Sequence, residues 1–225
     1  MTPGYFDDPR PDIQRLISPP DGCRILDVGC GAGALGDALR RAGAALVAGV
    51  ERHPDAAATA RNRLDLLVEG DVATASLPFT PNSFDVVVFA DLLEHVADPE
   101  AAVRRYLPYL APGGRVVISV PNMRFYTVLL RLLVDRWEYA ESGVRDRTHL
   151  RVFTRRSLLA LHAAVGLRVD ELDRRYRLFE DQSRIGRVGA LLSRLACATV
   201  APLLLRDLMA FQYIAVSRLA AARVG

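Results

Sequence analysis

The sequence predicts an α/β protein with a doubly wound, mostly parallel seven-stranded sheet and one antiparallel strand near the C-terminus. Short β-rich apolar runs alternate with helical patterns through most of the 225 residues, which is typical of parallel strands joined by helical crossovers. The run at 84–89 is almost wholly apolar, as expected for a strand that is buried on both faces. The length suits one such domain, and we expect residues 1–225 to form a single domain.

The predicted strands and helices follow one another in a regular order. Apolar runs predict strands at 24–28, 46–50, 66–69, 84–89, 115–120, 167–172 and 211–218. Of the helices between them, one ends near Gly43, one is opened by Pro54, one spans 99–110, and one is capped by Thr154 and stopped by Gly166. No helix-length spacer follows the last run, so we expect it to be an antiparallel strand at or near the edge of the sheet.

The composition favours a packed core and argues against a nucleic-acid-binding surface. Hydrophobic residues make up 51% of the chain, and the formal net charge is only +3. The 29 basic residues are all arginine and form no long run, so we expect no nucleic-acid partner. The three cysteines, Cys23, Cys30 and Cys197, show no C-x-x-C spacing. That pattern argues against a zinc site or disulfide framework and fits a reducing, cytoplasmic setting.

A glycine-rich turn follows the first predicted strand. Residues 27–33 read Asp-Val-Gly-Cys-Gly-Ala-Gly, and Gly31 opens a match to G-x-G-x-x-G, a fingerprint of dinucleotide sites. Taken alone, that match leaves a nicotinamide cofactor open. Asp27 discriminates, because a carboxylate at the mouth of this strand repels a pyrophosphate and attracts a ligand with an ammonium and a sulfonium. S-adenosylmethionine (SAM) is such a ligand, and its carboxylate can still use backbone N–H groups at the next helix N-terminus.

Several motifs occur in the order found in a known family. They are Ile-Leu-Asp-Val-Gly-Cys-Gly-Ala-Gly at 25–33, Gly-Val-Glu at 49–51, Gly-Asp-Val at 70–72, Phe-Asp-Val-Val-Val-Phe-Ala-Asp-Leu-Leu-Glu-His-Val at 84–96, Leu-Ala-Pro-Gly-Gly-Arg-Val-Val-Ile at 110–118 and Phe-Gln-Tyr-Ile-Ala-Val-Ser at 211–217. Over most of the chain they resemble the class I (Rossmann-like) SAM-dependent methyltransferases. The resemblance implies a methyl transfer that yields S-adenosylhomocysteine.

The same resemblance implies which residues hold SAM. Glu51 corresponds to the ribose-binding acid, Asp71 to the acid that holds the adenine amino group, and Val72 to a backbone donor beside it. The cofactor-binding residues that we expect are Asp27, Gly29, Cys30, Gly31, Gly33, Glu51, Arg52, Asp71, Val72, Ala90 and Asp91.

Three residues are candidates for the chemistry. Methyl transfer mainly requires an aligned nucleophile, and a hydroxyl acceptor also benefits from a nearby base. His95 follows the fourth strand, and Asp146 and His149 lie in a stretch that looks like the Asp-x-Thr-His-x-x-x-Phe-Thr segment of a methyltransferase subgroup linked to sugar, glycan and secondary-metabolite modification. We predict that these three are catalytic, with Asp146 orienting the imidazole of His149. The alternative is a structural role, in which His95 caps a helix or loop and Asp146 and His149 hold the insertion against the sheet.

Two insertions exceed the minimal fold, and we expect them to define the acceptor. The one at 122–150 begins with Asn122, a candidate substrate-binding residue, and carries Tyr126 within an apolar stripe at helical spacing that is either a lid or ordinary core. Tyr5 is a third candidate for substrate contact, because the N-terminal segment of the resembled family often folds over the cofactor. The insertion at 185–207 is a hydrophobic helix, too short to span a bilayer, that could serve as a peripheral membrane contact, a homodimer surface or a pocket cap.

The predicted function is transfer of a methyl group from SAM to a small-molecule acceptor. A hydroxyl of a sugar, glycan precursor or secondary metabolite is the first expectation. N-methylation, O-methylation of a quinone or polyketide, and a SAM-binding partner protein without turnover are the alternatives. No metal-ligand cluster is apparent in the sequence, so we expect no metal site.

Overall fold

The computed structural model describes residues 7–177 and 206–220. Its strands form one seven-stranded sheet in the order β3-β2-β1-β4-β5-β7-β6. The strands are β1 (Arg24–Val28), β2 (Leu46–Glu51), β3 (Leu66–Glu69), β4 (Phe84–Ala90), β5 (Leu110–Pro121), β6 (Leu167–Tyr176) and β7 (Ala210–Leu219). Neighbouring strands in the part of the sheet that runs β3-β2-β1-β4-β5 are parallel, and β7 is antiparallel to both β5 and β6. The predicted fold class, including its one antiparallel strand, is confirmed.

Helices cover both faces of the sheet, because each presents an apolar side to it. They are α1 (Pro11–Ile17), α2 (Ala34–Arg41), α3 (Pro54–Ala60), α4 (Pro99–Tyr106), α5 (Tyr126–Leu133) and α6 (Arg155–Ala164), with 3-10 turns at Leu93–His95 and Leu107–Tyr109 and a short helix at Arg206–Met209. One core layer packs Ile13 and Leu39 against the sheet, and the other packs Val103 and Leu158 against it. Within the described ranges, no helix is both long and apolar enough to cross a membrane.

Three predicted boundaries differ from the structure for local physical reasons. The helix predicted at 99–110 ends at Tyr106 and tightens into a 3-10 turn, because Pro108 has no N–H to donate to the carbonyl four residues before it. β5 begins at Leu110, which pairs with the start of β4 before the register shifts at the following glycines. β6 runs on to Tyr176, because its ladder with β7 overrides the low strand propensity of the Asp and Arg residues there. Thr154 caps α6 as predicted.

The insertion at 122–150 divides its apolar residues between a small core and the solvent. Phe125 and Val128 are fully buried and form a separate cluster with Val144. The end of α5 is exposed instead, with Leu133 80% exposed. The stripe is therefore neither one continuous core face nor one continuous lid. The second insertion, at 185–207, lies outside the described residues except for its last two positions.

Candidate active site

A cavity of about 830 Å³ lies along the carboxyl ends of the parallel strands. In open α/β sheets, ligands bind where the strand order reverses, which here is between β1 and β4. The cavity is lined by ten of the predicted cofactor residues: Asp27, Gly29, Cys30, Gly31, Glu51, Arg52, Asp71, Val72, Ala90 and Asp91. Gly33 does not line the cavity; it is the N-cap residue of α2, at the end of the glycine turn. All three predicted catalytic residues line the same cavity.

The glycine turn needs glycine for both conformation and space. Gly29, Gly31 and Gly33 have φ angles of 76°, 56° and 79°, a left-handed region that favours glycine. A side chain at Gly29 would place its Cβ 2.8 Å from Leu92 Cδ1. Because the turn carries no side chains at these positions, its backbone can lie directly against a ligand.

Glu51 holds this turn in place. Its carboxylate accepts hydrogen bonds from the backbone N–H groups of Gly31 (2.9 Å), Arg52 (2.8 Å) and His53 (2.8 Å), and the residue is only 5% exposed. A carboxylate has about four lone-pair sites, so one site remains for a ligand hydroxyl. The predicted ribose-binding acid therefore also organises the loop, a second role that its sequence position did not reveal.

The Asp27 side chain lines the cavity with a carboxylate oxygen that has no hydrogen-bond donor among the described residues. The residue is 2% exposed, and its Oδ1 accepts no hydrogen bond from any residue that the structure describes. Burial raises the pKa of Asp27 to about 7, the charge of Glu51 adds to the shift, and Arg10 opposes it. A buried carboxylate with a free oxygen gains most from a cationic ligand group.

The end of the cavity beside β3 carries the second predicted acid. The Asp71 carboxylate accepts the backbone N–H of Ala73 at 2.8 Å, and its other oxygen lies 3.7 Å from Arg52 Nη1. Val72 is 7% exposed, and its carbonyl accepts the hydroxyl of Tyr106 at 2.8 Å. These contacts fix the turn after β3 as a wall of the cavity.

Asp91 belongs to a buried network that sequence reasoning missed. Its backbone has a positive φ of 50°, and its carboxylate accepts hydrogen bonds from Ser119 Oγ (2.9 Å) and from the Gln212 amide. Arg10, which is 5% exposed, donates to the other oxygen at 2.5 Å. The network links the start of α1 to β4, β5 and β7, so it fixes the position of Asp91 at the centre of the cavity.

His95 has a defined tautomer. Its Nδ1 lies 3.3 Å from the carbonyl oxygen and 3.1 Å from the Oγ1 of Thr148. A carbonyl can only accept, so Nδ1 carries the proton and Nε2 keeps its lone pair. The Thr148 hydroxyl in turn donates to Asp146 at 2.7 Å. Asp146, predicted as a partner of His149, is thus also linked to His95 through Thr148.

The two imidazoles are neighbours and favour the neutral form. Their ring centroids are 4.8 Å apart. Burial lowers the pKa of both; His95 lowers that of His149 further, and Asp146 opposes the shift in each. At neutral pH the pair therefore offers unprotonated nitrogen to the cavity.

Glu94 completes a group of three that the sequence did not indicate. It is 2% exposed, and its Oε2 has no hydrogen-bond partner within the described part of the chain. Burial, with the charge of Asp91, raises the pKa of Glu94 well above its ordinary value. Ligand atoms of Glu94, His95 and His149 lie within 4.8 Å of one another and could hold a metal ion. The expectation of no metal cluster rested on local spacing, and these side chains meet only through the fold.

The predicted substrate residues lie elsewhere. Asn122 is fully buried, does not line the cavity, and donates 2.7 Å hydrogen bonds to the carbonyl oxygens of Asp207 and Ala210. Its amide is therefore committed to holding the start of β7. Tyr126 packs against Phe125; of these two residues, Phe125 lines the cavity and Tyr126 does not. Tyr5 lies outside the described residues.

A family model described as "Methyltransferase domain" matches residues 5–172. The chain belongs to the methyltransferase domain family. Among its curated relatives are the ubiquinone biosynthesis O-methyltransferases of Aeromonas salmonicida, 30% identical over 174 residues that cover 74% of this chain and 72% of the relative, and of Alkalilimnicola ehrlichii, 32% identical over 176 residues that cover 72% and 71%. A SAM-dependent methyltransferase structure from Mesorhizobium loti superposes with a TM-score of 0.62 at 18% identity, covering 92% of this chain and 96% of the other.

The cofactor of this methyltransferase is SAM, as the sequence predicted. The residues present fit that ligand. Asp27 offers a cation a buried oxygen that has no hydrogen-bond partner in the described part of the chain, Glu51 retains an acceptor site for a hydroxyl, and the glycine turn admits close backbone approach. The enzyme assignment is confirmed, and the nicotinamide alternative gains no support.

Proposed function

We propose that this methyltransferase transfers the methyl group of SAM to a hydroxyl on the aromatic ring of a small, quinone-type molecule. The names of the relatives that match more than two thirds of the chain support an acceptor of this class. O-methylation of a quinone was one alternative drawn from the sequence, and these names now favour it over the sugar or glycan hydroxyl that was expected first.

The observation that carries the proposal is the neutral histidine pair at the cavity wall. SAM supplies a carbon that is already activated for displacement, so the chain has to align the acceptor oxygen and remove its proton. His95 is suited to that role, because Nδ1 is occupied by Thr148 and Nε2 keeps a lone pair. His149 lies beside it and lines the same cavity.

The strength of this base favours a phenol over a sugar. Burial lowers the pKa of both histidines below their ordinary value, so each is a weak base. A phenol has a pKa of about 10, and a sugar hydroxyl is a considerably weaker acid. A neutral imidazole therefore assists a phenolic acceptor far better. Apolar wall residues also suit an aromatic ring: Leu92, Val96, Phe125, Val144, Leu150 and Phe211.

The test is methyl transfer from labelled SAM to a panel that holds catechols, sugar nucleotides and primary amines. We expect O-methylation of a catechol. His95→Ala is expected to lower kcat by about 10²–10⁴-fold, the usual contribution of a general base, with SAM affinity unchanged. His162→Gln is the matched control, because His162 is a buried histidine of α6 away from the cavity. Methylation of amines only, or full turnover in His95→Ala and His149→Ala alike, contradicts the proposal.

A further inference from the structure

The end of the cavity beside β6 and β7 is cationic and aromatic. Arg175, Arg177 and Phe211 all line it. The guanidinium carbon of Arg177 lies 3.9 Å from the centroid of the Phe211 ring, and that of Arg175 lies 5.4 Å from it. Stacking on an aromatic face holds a guanidinium in a fixed plane while its N–H edge stays available.

Two of the nearby carboxylates, Asp12 and Asp91, are already paired with other cations. Asp12 forms ion pairs with Arg10 and with Arg175, each at 3.0 Å. Asp91 is paired with Arg10. Arg177 is different, because no carboxylate of the described ranges lies within ion-pair distance of it, although Asp8 and Asp91 are near enough to favour its charge. Arg177 therefore lines the cavity and has no ion-pair partner among residues 7–177 and 206–220.

The position of this end in the sheet assigns it to the acceptor. The predicted SAM residues Glu51 and Asp71 follow β2 and β3, on one side of β1. Arg177 and Phe211 belong to the opposite half of the sheet, beyond β4 and β5, at the end of β6 and the start of β7. The glycine turn after β1 already offers backbone N–H groups to the carboxylate of SAM, so that group does not require an arginine from the other half of the sheet.

We propose that this end of the cavity is an anion subsite, in which Arg177, stacked on Phe211, binds a carboxylate or phosphate of the methyl acceptor. The acceptor is then an aromatic hydroxyl compound with an anionic group on or near its ring. The planar guanidinium donates two parallel N–H groups to such an anion, and Phe211 offers its ring as a contact surface. This inference rests on the proposed function, because it concerns the acceptor of the same reaction.

The test is equilibrium binding of benzoate, phenyl phosphate and benzamide to the protein saturated with S-adenosylhomocysteine, measured by ligand-observed NMR and calorimetry. Saturation with that product keeps the probes away from the SAM carboxylate site. Comparing benzoate with phenyl phosphate distinguishes a carboxylate subsite from a phosphate subsite, and benzamide is the uncharged analogue of benzoate. Arg177→Gln removes the charge, and Phe211→Leu removes the stacking surface while leaving every guanidinium in place. Arg168→Gln is the matched control, because Arg168 lies on β6, is exposed and is paired with Asp170.

We expect at least one anion to bind about tenfold or more tightly than benzamide. Arg177→Gln is expected to weaken that binding about tenfold, Phe211→Leu to weaken it by a smaller factor, and Arg168→Gln to leave it unchanged. Equal binding of benzamide, an unchanged affinity in Arg177→Gln, the same loss in Arg168→Gln, or no binding of either anion at 10 mM overturns the subsite. The binding assay does not depend on turnover, so the two proposals can fail separately. If the anions bind through Arg177 but no phenol is methylated, only the proposed function is refuted. If phenols are methylated but Arg177→Gln changes nothing, only the subsite is refuted.

Discussion

Protonation of Asp27 is expected to weaken SAM binding as the pH falls below neutral. In the free protein, burial raises the pKa of Asp27 to about 7, and the charge of Glu51 adds to the shift. A cationic ligand beside the carboxylate favours the ionised form. Binding below this pH must therefore release a proton that the free protein still holds, and the affinity falls as the pH falls.

The size of the effect is worked out for a pKa of Asp27 that is about 7 in the free protein and that a bound cation returns to the ordinary value of 3.8. The dissociation constant then grows with the protonated fraction of the free protein. Between pH 7.5 and pH 5.5 this gives about 25-fold weaker binding, or roughly 1.9 kcal/mol at about 1.4 kcal/mol per tenfold.

The assay is calorimetric titration of SAM across this pH range in two buffers of different ionisation enthalpy, which also counts the protons released. Asp27→Asn is expected to bind SAM more weakly at pH 7.5 and to lose most of the pH dependence. Asp85→Asn is the matched control, since Asp85 lies at the start of β4 and pairs with Arg24 away from the cavity. A constant wild-type affinity from pH 5.5 to 7.5, or an undiminished slope in Asp27→Asn, would refute the reasoning.

Three further predictions concern single positions. Asp27→Asn should stabilise the free protein at pH 7.5 by up to about 4 kcal/mol in urea denaturation. The pKa of Asp27 is raised in the folded state, so the wild-type protein loses stability as the pH rises from about 4 to 7. Equal stabilities of the two proteins at pH 7.5 would count against this. Asn122→Ala should destabilise the fold by about 1–3 kcal/mol and leave the acceptor KM of the remaining folded enzyme unchanged, whereas a selective KM increase would restore its substrate role. Gly29→Ala should weaken SAM binding at least tenfold, since it meets Leu92 at a φ of 76°; normal affinity would exclude a close backbone approach.

The sequence predicted the half of the site that lies on consecutive strand ends. Asp27, Glu51 and Asp71 each follow a short apolar run, and carboxyl ends of parallel strands share one edge of a sheet. Their neighbourhood therefore followed from local patterns alone. The link from Asp146 through Thr148 to His95 did not, because it depends on how the insertion folds back over β4.

The acceptor half depends on contacts between distant segments. Arg177 lay past the predicted end of β6, so nothing in its local pattern placed it at the cavity. The ladder with β7 extends β6 to Tyr176, and Arg177 follows directly. Arg10 reaches Asp91 only because α1 docks beside β5 and β7. The predicted substrate role of Asn122 was ambiguous from the start, because a polar residue after a strand indicates a site equally well as a buried turn; its amide here bonds to backbone carbonyls.

The central claim is that this SAM-dependent methyltransferase acts on the oxygen of an aromatic hydroxyl. It is tested most directly by NMR of the product formed from methyl-¹³C-labelled SAM and 3,4-dihydroxybenzoate, which carries both a catechol and the anion that Arg177 is proposed to bind. We expect an aryl methyl ether signal, matched mole for mole by S-adenosylhomocysteine and strongly reduced in His95→Ala. Transfer of the label to amines or sugars in the same panel, with no aryl methyl ether from any catechol, would contradict it.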